Sequence, residues 1–247
     1  EPSPDGRQFA HAQDIVNVID VRQSHPQTLV RAALALSGTD EGRVASEHSR
    51  HLAYEVVTLE GQAMSGRKGI TLAIDDVLIE ATDRAAAVVK EKNPDLANAD
   101  AVARSVGLGA LRFAMLKSEA KRMIDFRWEQ ALNLQGDSAP YVQYAHARAA
   151  SILRAAEAEG LKNADADFTQ LSELELGLAR QLARFDDVRD EAAAALAPHL
   201  VAQYALDVAA SWNAYYNHRD DNGRPDTAVL RSEPGLREAR LALVRET

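Results

Sequence analysis

Near the start of the chain, Ile15-Val16-Asn17-Val18-Ile19 is a short β-branched run closed by Asp20, the form of a buried strand. Thr28 to Leu36 (TLVRAALAL) reads as a helix stopped by Ser37-Gly38, and Thr39 to Gly42 as a loop. Leu52 to Leu59 (LAYEVVTL) predicts a second strand. Strand, helix, strand at this spacing is the outline of a parallel β-α-β unit. Two strands do not complete an open sheet, so further strands are expected upstream; the other reading makes these two an appendage. Gly61 to Gly69 predicts a loop and Ile70 to Ile74 an extended stretch. Asp75 or Asp76 then caps a helix through Val77, Leu78, Ala81 and Ala85. Asn93-Pro94-Asp95 breaks that helix and is the best domain boundary in the chain.

After Asp100 the rhythm is helical throughout. Ala101 to Lys121 predicts one helix, bent at Gly107-Leu108-Gly109, and Phe126 to Leu134 a short one. Ser138 caps a helix from Ala139 to about Glu159, with Pro140 in the first turn, where its missing N–H costs nothing. Ser172-Glu173-Leu174-Glu175 is a capping box opening a helix to Phe185. Asp187 to Leu196 and Pro198 to Asn217 follow. Residues 218–235 form a polar loop, and Leu236 to Arg245 begins a last helix.

Composition sharpens this picture. The 247 residues are 46% hydrophobic and only 5% aromatic, with alanine-rich second-half segments that favour helix. No run approaches the roughly 18–20 apolar residues of a membrane-spanning helix. The absence of cysteine excludes disulfides, thiolate metal sites and cysteine nucleophiles, and fits a reducing compartment. Residues 1–10 have no secretory pattern and no initiator Met, so the sequence reads as a piece of something longer. The net charge of −9 argues against bulk nucleic-acid binding. The charge is uneven, however: residues 103–156 hold eight basic and four acidic side chains, residues 157–191 four basic and ten acidic. A local basic face on an acidic protein still contacts phosphates, because fields decay over about 8 Å at physiological salt.

Three segments could carry chemistry. Met64-Ser65-Gly66-Arg67-Lys68-Gly69 sets two adjacent cations between glycines. Glycine allows close backbone approach, and Arg and Lys neutralise charge developing on a phosphate; the alternative is a solvated basic hairpin tip. In Ala139 to Arg154, Tyr141, Tyr144 and Arg148 fall on one helical stripe. They could stack bases and touch phosphate, but aromatics at this spacing more often pack against a neighbouring helix. The third segment, Ser211 to His218 (SWNAYYNH), gathers Trp212, Tyr215 and Tyr216 at one helix end and fits base recognition and interhelical packing equally. Among the seven histidines, His48 and His51 lie three apart without an accompanying carboxylate pattern, so no metal site is expected. No nucleophile elbow, Walker loop or dinucleotide fingerprint occurs.

In this order the segments resemble the arginyl-tRNA synthetase family of class I aminoacyl-tRNA synthetases. Leu52 to Arg84, with MSGRKG inside it, is similar to the family's KMSKS-type signature-loop region. Val106 to Trp128 looks like the junction to the anticodon-binding domain. Ala139 to Arg154 is similar to that domain's first long helix, and Trp212 to His218 to its aromatic segment. The resemblance implies a mainly α protein. A partial Rossmann-like α/β segment over residues 1–92 would end a catalytic domain, and an all-α anticodon-binding bundle would fill 93–247. It implies formation of arginyl-adenylate from L-arginine and ATP with Mg²⁺, then transfer to tRNA-Arg, in a cytoplasmic monomer. Met64, Ser65, Gly66, Arg67 and Lys68 would close over the ATP phosphates, with Ser65, Arg67 and Lys68 in the catalytic role. Gln23 would meet the substrate guanidinium, although His25-Pro26 departs from the family's His-Phe. Tyr144, Arg148, Trp212 and Tyr216 would face the anticodon.

The loop also departs from the class motif, with Ala63 and Gly66 where that motif has lysines. No HIGH-type motif occurs here, so the chain reads as a C-terminal portion cut at both ends that does not aminoacylate alone. A non-catalytic tRNA-binding module is the second reading and a helical protein–protein adaptor the third.

Overall fold

The computed structural model describes residues 14–63, 73–161, 166–223, 225 and 227–247. The chain divides into two compact units, Glu1–Thr58 with Glu119–Asp125, and Leu59–Ser118 with Phe126–Thr247.

In the first unit, β1 (Ile15–Asp20) runs parallel to β2 (Ser49–Tyr54), Ile15 facing Ser49 and Asp20 facing Tyr54. The expected β-α-β outline is therefore present, but its crossover holds two helices, α1 (Ser24–Ala35) and α2 (Asp40–His48). The stretch read as a loop at Thr39 to Gly42 is the start of α2. Thr39 caps it by accepting the Gly42 N–H at 3.0 Å, and Asp40 and Glu41 stand in the first turn, where carboxylates favour the helix dipole. Gly42 is buried where α2 comes close to α1: a Cβ there would lie 2.7 Å from the Leu34 carbonyl oxygen. Close approach outweighs the poor helix propensity of glycine at this point.

The single strand expected over Leu52 to Leu59 is two strands with different partners. After β2 the chain breaks at Glu55-Val56, whose backbone bonds go to Ala120 and Ile124. It resumes as β3 (Val57–Leu59), in a three-stranded sheet of order β4-β3-β5 with β4 (Gln62–Ala63) and β5 (Ile124–Phe126). Glu60 and Gly61 join β3 to β4 with φ of 49° and 76°, the left-handed pair of a tight hairpin.

The helical unit opens with α3 (Ile74–Lys92) and α4 (Ala99–Leu116), which pack as a pair across the break at Asn93-Pro94-Asp95. Asp75 and Asp76 are not the cap of α3. Ala73 holds that position, and the two carboxylates sit in the first turn. Helix α4 ends at Leu116, short of Lys121, and runs uninterrupted through Gly107-Leu108-Gly109. Gly107 serves packing: a Cβ there would sit 2.7 Å from the Ala81 carbonyl carbon of α3. Phe126 belongs to β5, and only α5 (Trp128–Ala131) of the expected Phe126–Leu134 helix forms.

Five further helices build the core: α6 (Ala139–Ala158), α7 (Glu173–Leu182), α8 (Phe185–Ala195), α9 (Pro198–Asn217) and α10 (Leu236–Glu246). Four of their starts follow the sequence signals, while α8 begins at Phe185, two residues before the expected Asp187. Ser138 accepts the Tyr141 N–H at 3.3 Å, and Ser172 with Glu175 forms the reciprocal capping box. Trp212 and Tyr215 of α9 pack with Ala145 and Ala149 of α6, Leu178 of α7 and Leu241 of α10. Alanine on α6 lets the large rings of α9 come close, which explains how a chain so poor in aromatics still closes a dense core.

Candidate functional site

The basic loop Met64, Ser65, Gly66, Arg67 and Lys68 lies outside the described residues. The other named residues have defined places.

Gln23 sits in the turn that follows β1. Asp20 caps this turn, and its carboxylate accepts the Arg22 backbone N–H at 2.8 Å and the Arg22 guanidinium at 2.8 and 2.7 Å. That fork of hydrogen bonds holds the Asp20 carboxyl down to about 2, so it is ionised and committed to Arg22. Gln23 comes next as the N-cap position of α1, exposed and without a side-chain cap bond. It therefore projects at the carboxyl end of a parallel strand, where open α/β sheets bind their ligands.

The helical unit gathers a second group. Tyr144 and Arg148 are one helical turn apart on α6; Asn213 and Tyr216 are three apart on α9. The Arg148 guanidinium donates to Asn213 Oδ1 and to the Tyr144 hydroxyl, each at 3.0 Å. Its carbon lies 4.2 Å from the Tyr144 ring centre and 4.6 Å from that of Tyr216. The cation is held between two rings, an arrangement that orders a long side chain and leaves it positive. Tyr144 is 48% exposed and Tyr216 38%, so aromatic surface and charge are both presented to solvent.

Two expectations change here. The stripe Tyr141-Tyr144-Arg148 splits, because Tyr141 packs against the core while Tyr144 turns outward. Trp212 faces inward with 0% exposure, its ring centre 5.5 Å from Tyr215 and 5.9 Å from Tyr216. A ring so enclosed offers no face to a base; Trp212 backs Tyr216 instead. It is the largest of the apolar side chains on α9, and burial claims it first. Asn213 belongs to the Ser211–His218 segment that the sequence singles out, and the structure makes it the acceptor for Arg148. Its signal was its place one helical turn before Tyr216 on the same face.

Comparison with known proteins finds two family models along the chain. A family model for the catalytic domain of class I tRNA synthetases (R) matches residues 6–129, and one for the DALR anticodon binding domain matches residues 142–247. The arginine–tRNA ligase of Deinococcus radiodurans is 54% identical over 98% of this chain and 41% of its own length. That of Thermus thermophilus is 54% identical over 98% of this chain and 40% of its own. The chain thus spans about two fifths of these relatives. The solved structure of Thermus thermophilus arginyl-tRNA synthetase superposes with a TM-score of 0.87 at 51% identity, over 99% of this chain and 40% of that one. The Plasmodium falciparum arginyl-tRNA synthetase, at 16% identity and a TM-score of 0.69, shares the fold.

Proposed function

The chain belongs to the arginyl-tRNA synthetase family of class I enzymes, and from that membership we propose that it takes part in ATP-dependent attachment of arginine to tRNA-Arg, supplying the signature loop and the anticodon-reading surface. The observation that carries the RNA half of this reading is the exposed Tyr144–Arg148–Tyr216 stack, inside the region matched by the anticodon-binding model. Single-stranded RNA loops are bound by stacking bases on aromatic or guanidinium planes and by neutralising phosphate.

In this reading Tyr144 and Tyr216 give faces to unstacked anticodon-loop bases, Arg148 gives charge, and buried Trp212 fixes Tyr216 from behind. Gln23 orients the guanidinium of substrate arginine at the end of β1. Met64, Ser65, Gly66, Arg67 and Lys68 draw around the phosphates of ATP, which enters as its Mg²⁺ complex, and Ser65, Arg67 and Lys68 stabilise charge as pyrophosphate leaves. We place a change of role, from catalytic to RNA-binding, near residue 93, although the catalytic-domain model runs on to residue 129 and α3 and α4 pack together across that point. The protein works in the cytoplasm as a monomer. No HIGH-type motif occurs in these 247 residues, so charging is expected of a longer protein that contains them and not of this chain alone.

The test is binding of a tRNA-Arg anticodon stem-loop to this chain. Arg148→Ala should weaken it by about 1–3 kcal/mol, since the change removes a cation and unclamps two rings. Unaltered affinity would remove the RNA half of the reading. For the catalytic half, Arg67→Ala in the longer protein should lower arginine-dependent pyrophosphate exchange; full exchange would exclude the loop from catalysis.

A further inference from the structure

We propose that Arg240 is a positioning residue for RNA, acting through a turn that it grips from inside and that forms, with Tyr216, the walls of a nucleotide-sized cavity. The inference rests on the RNA-binding reading above and adds residues to it.

Arg240, on α10, is buried. Its Nε donates to Glu175 Oε1 at 2.6 Å, and its Nη1 donates to Ser232 Oγ at 2.7 Å. Ser232 closes the segment Thr227–Ser232. Its hydroxyl donates to the Ala228 carbonyl at 2.9 Å and its backbone N–H to the Val229 carbonyl at 3.3 Å. The other end of the segment is tied to α9: the Thr227 hydroxyl donates to the Tyr215 carbonyl at 2.8 Å, and the Tyr215 hydroxyl to the Thr227 carbonyl at 3.2 Å. A surface turn is thus fastened at both ends from the core.

A buried ion pair is a weak stabiliser, because desolvation offsets most of its attraction and an apolar replacement often serves as well. What Arg240 supplies that an apolar residue cannot is a directed bond to Ser232. Between the fastened turn and the end of α9 lies a cavity of about 310 Å³, lined by Tyr216, Arg219, Leu230, Arg231 and Ile152 among others. Tyr216 is the ring already stacked on Arg148, so the cavity continues the exposed cluster. Arg219 and Arg231 are exposed at this cavity, and neither has a carboxylate partner among the described residues. An apolar floor, an aromatic wall and two exposed guanidinium groups suit one unstacked nucleotide, its base inside and its phosphate at the rim. Holding the turn still keeps Arg231 in place before the RNA arrives, which lowers the ordering cost of binding.

The experiment uses this chain and the tRNA-Arg anticodon stem-loop, reading affinity across a salt series together with thermal unfolding. Arg231→Ala should weaken binding about three- to tenfold and reduce the salt slope by roughly 0.7, the value of one single-strand phosphate contact. Ser232→Ala, which leaves the Arg240–Glu175 pair in place but strips a buried guanidinium N–H of its acceptor, should weaken binding about threefold in a chain that stays folded with a lowered unfolding temperature. The double variant should bind no more weakly than Arg231→Ala alone, and Ser232→Thr, keeping the hydroxyl, should restore affinity. Additive losses in the double variant would overturn the positioning role. If neither Arg219→Ala nor Arg231→Ala alters affinity or slope while Arg148→Ala weakens binding, the cavity is not part of the RNA surface and the wider reading stands. If Arg148→Ala is also without effect, both fail.

Discussion

In the unit built on β1 and β2, Val18 is 60% exposed and Leu36 85%, and α1 buries none of its residues; in the helical unit Trp212, Leu178 and Leu241 are almost wholly enclosed. Both segments carry apolar side chains at the spacing their elements require. The difference lies in what faces them. Parallel strands are ordinarily covered on both faces, and in this chain, which spans about two fifths of its relatives, β1 is open along much of its length. The helices of the second unit surround one another, with α6, α7 and α10 all packed on the residues of α9 or on one another. A correct local pattern therefore makes an element, but enclosure makes a core.

The strongest way to break this contrast is a pair of truncations. Trp212→Ala should cost about 3–5 kcal/mol in denaturant unfolding of the helical unit, whereas Val18→Ala should cost less than about 0.5 kcal/mol. Comparable losses would show that β1 is enclosed after all. Next in size is Gly107→Ala. Its new Cβ would press on the Ala81 backbone, which cannot rotate aside as a side chain could, and about 1–3 kcal/mol should be lost. A neutral or stabilising effect in thermal unfolding would mean α3 and α4 are farther apart. Ser138→Ala should cost about 0.5–2 kcal/mol, for it removes the cap of α6 and the hydroxyl bond to the Asn133 carbonyl.

The smallest effect belongs to the open unit. The Asp20 carboxyl titrates at about 2, below its unfolded range, because Arg22 binds the ionised form. Its contribution is therefore whole above the unfolded value of about 3.9 and disappears as pH falls toward about 2. A chemical-shift titration of Asp20 should follow that midpoint, and Arg22→Ala should raise it. A midpoint near 4 in the parent chain would mean the turn beside Gln23 is not ordered by this pair.

Much of the fold was legible one residue at a time. The caps at Ser138 and Ser172, the stop at Ser37-Gly38 and the break at Asn93-Pro94 depend on bonds or clashes within a few residues, so local sequence carries them. Helix α2 is different: the sequence predicts a loop over Thr39 to Gly42, although Thr39 with Asp40 and Glu41 makes a helix start that the structure uses. The switch between β2 and β3 was not legible, because it turns on pairing partners around residue 124. Within the candidate site, the Tyr144–Arg148 turn was visible from spacing. The capture of Arg148 by Asn213 and Tyr216 required α6 and α9 to be side by side.

By itself the sequence determined most of the helical segments, where most of them begin and which family they belong to, because those properties rest on bonds between near neighbours and on motifs in a fixed order. It could not decide which aromatic on α9 meets water. Trp212 and Tyr216 are four residues apart on one helix and look alike as letters. Only the packing of α6, α7 and α10 sent one into the core and left the other beside Arg148, since burial is a property of the neighbours a side chain is given.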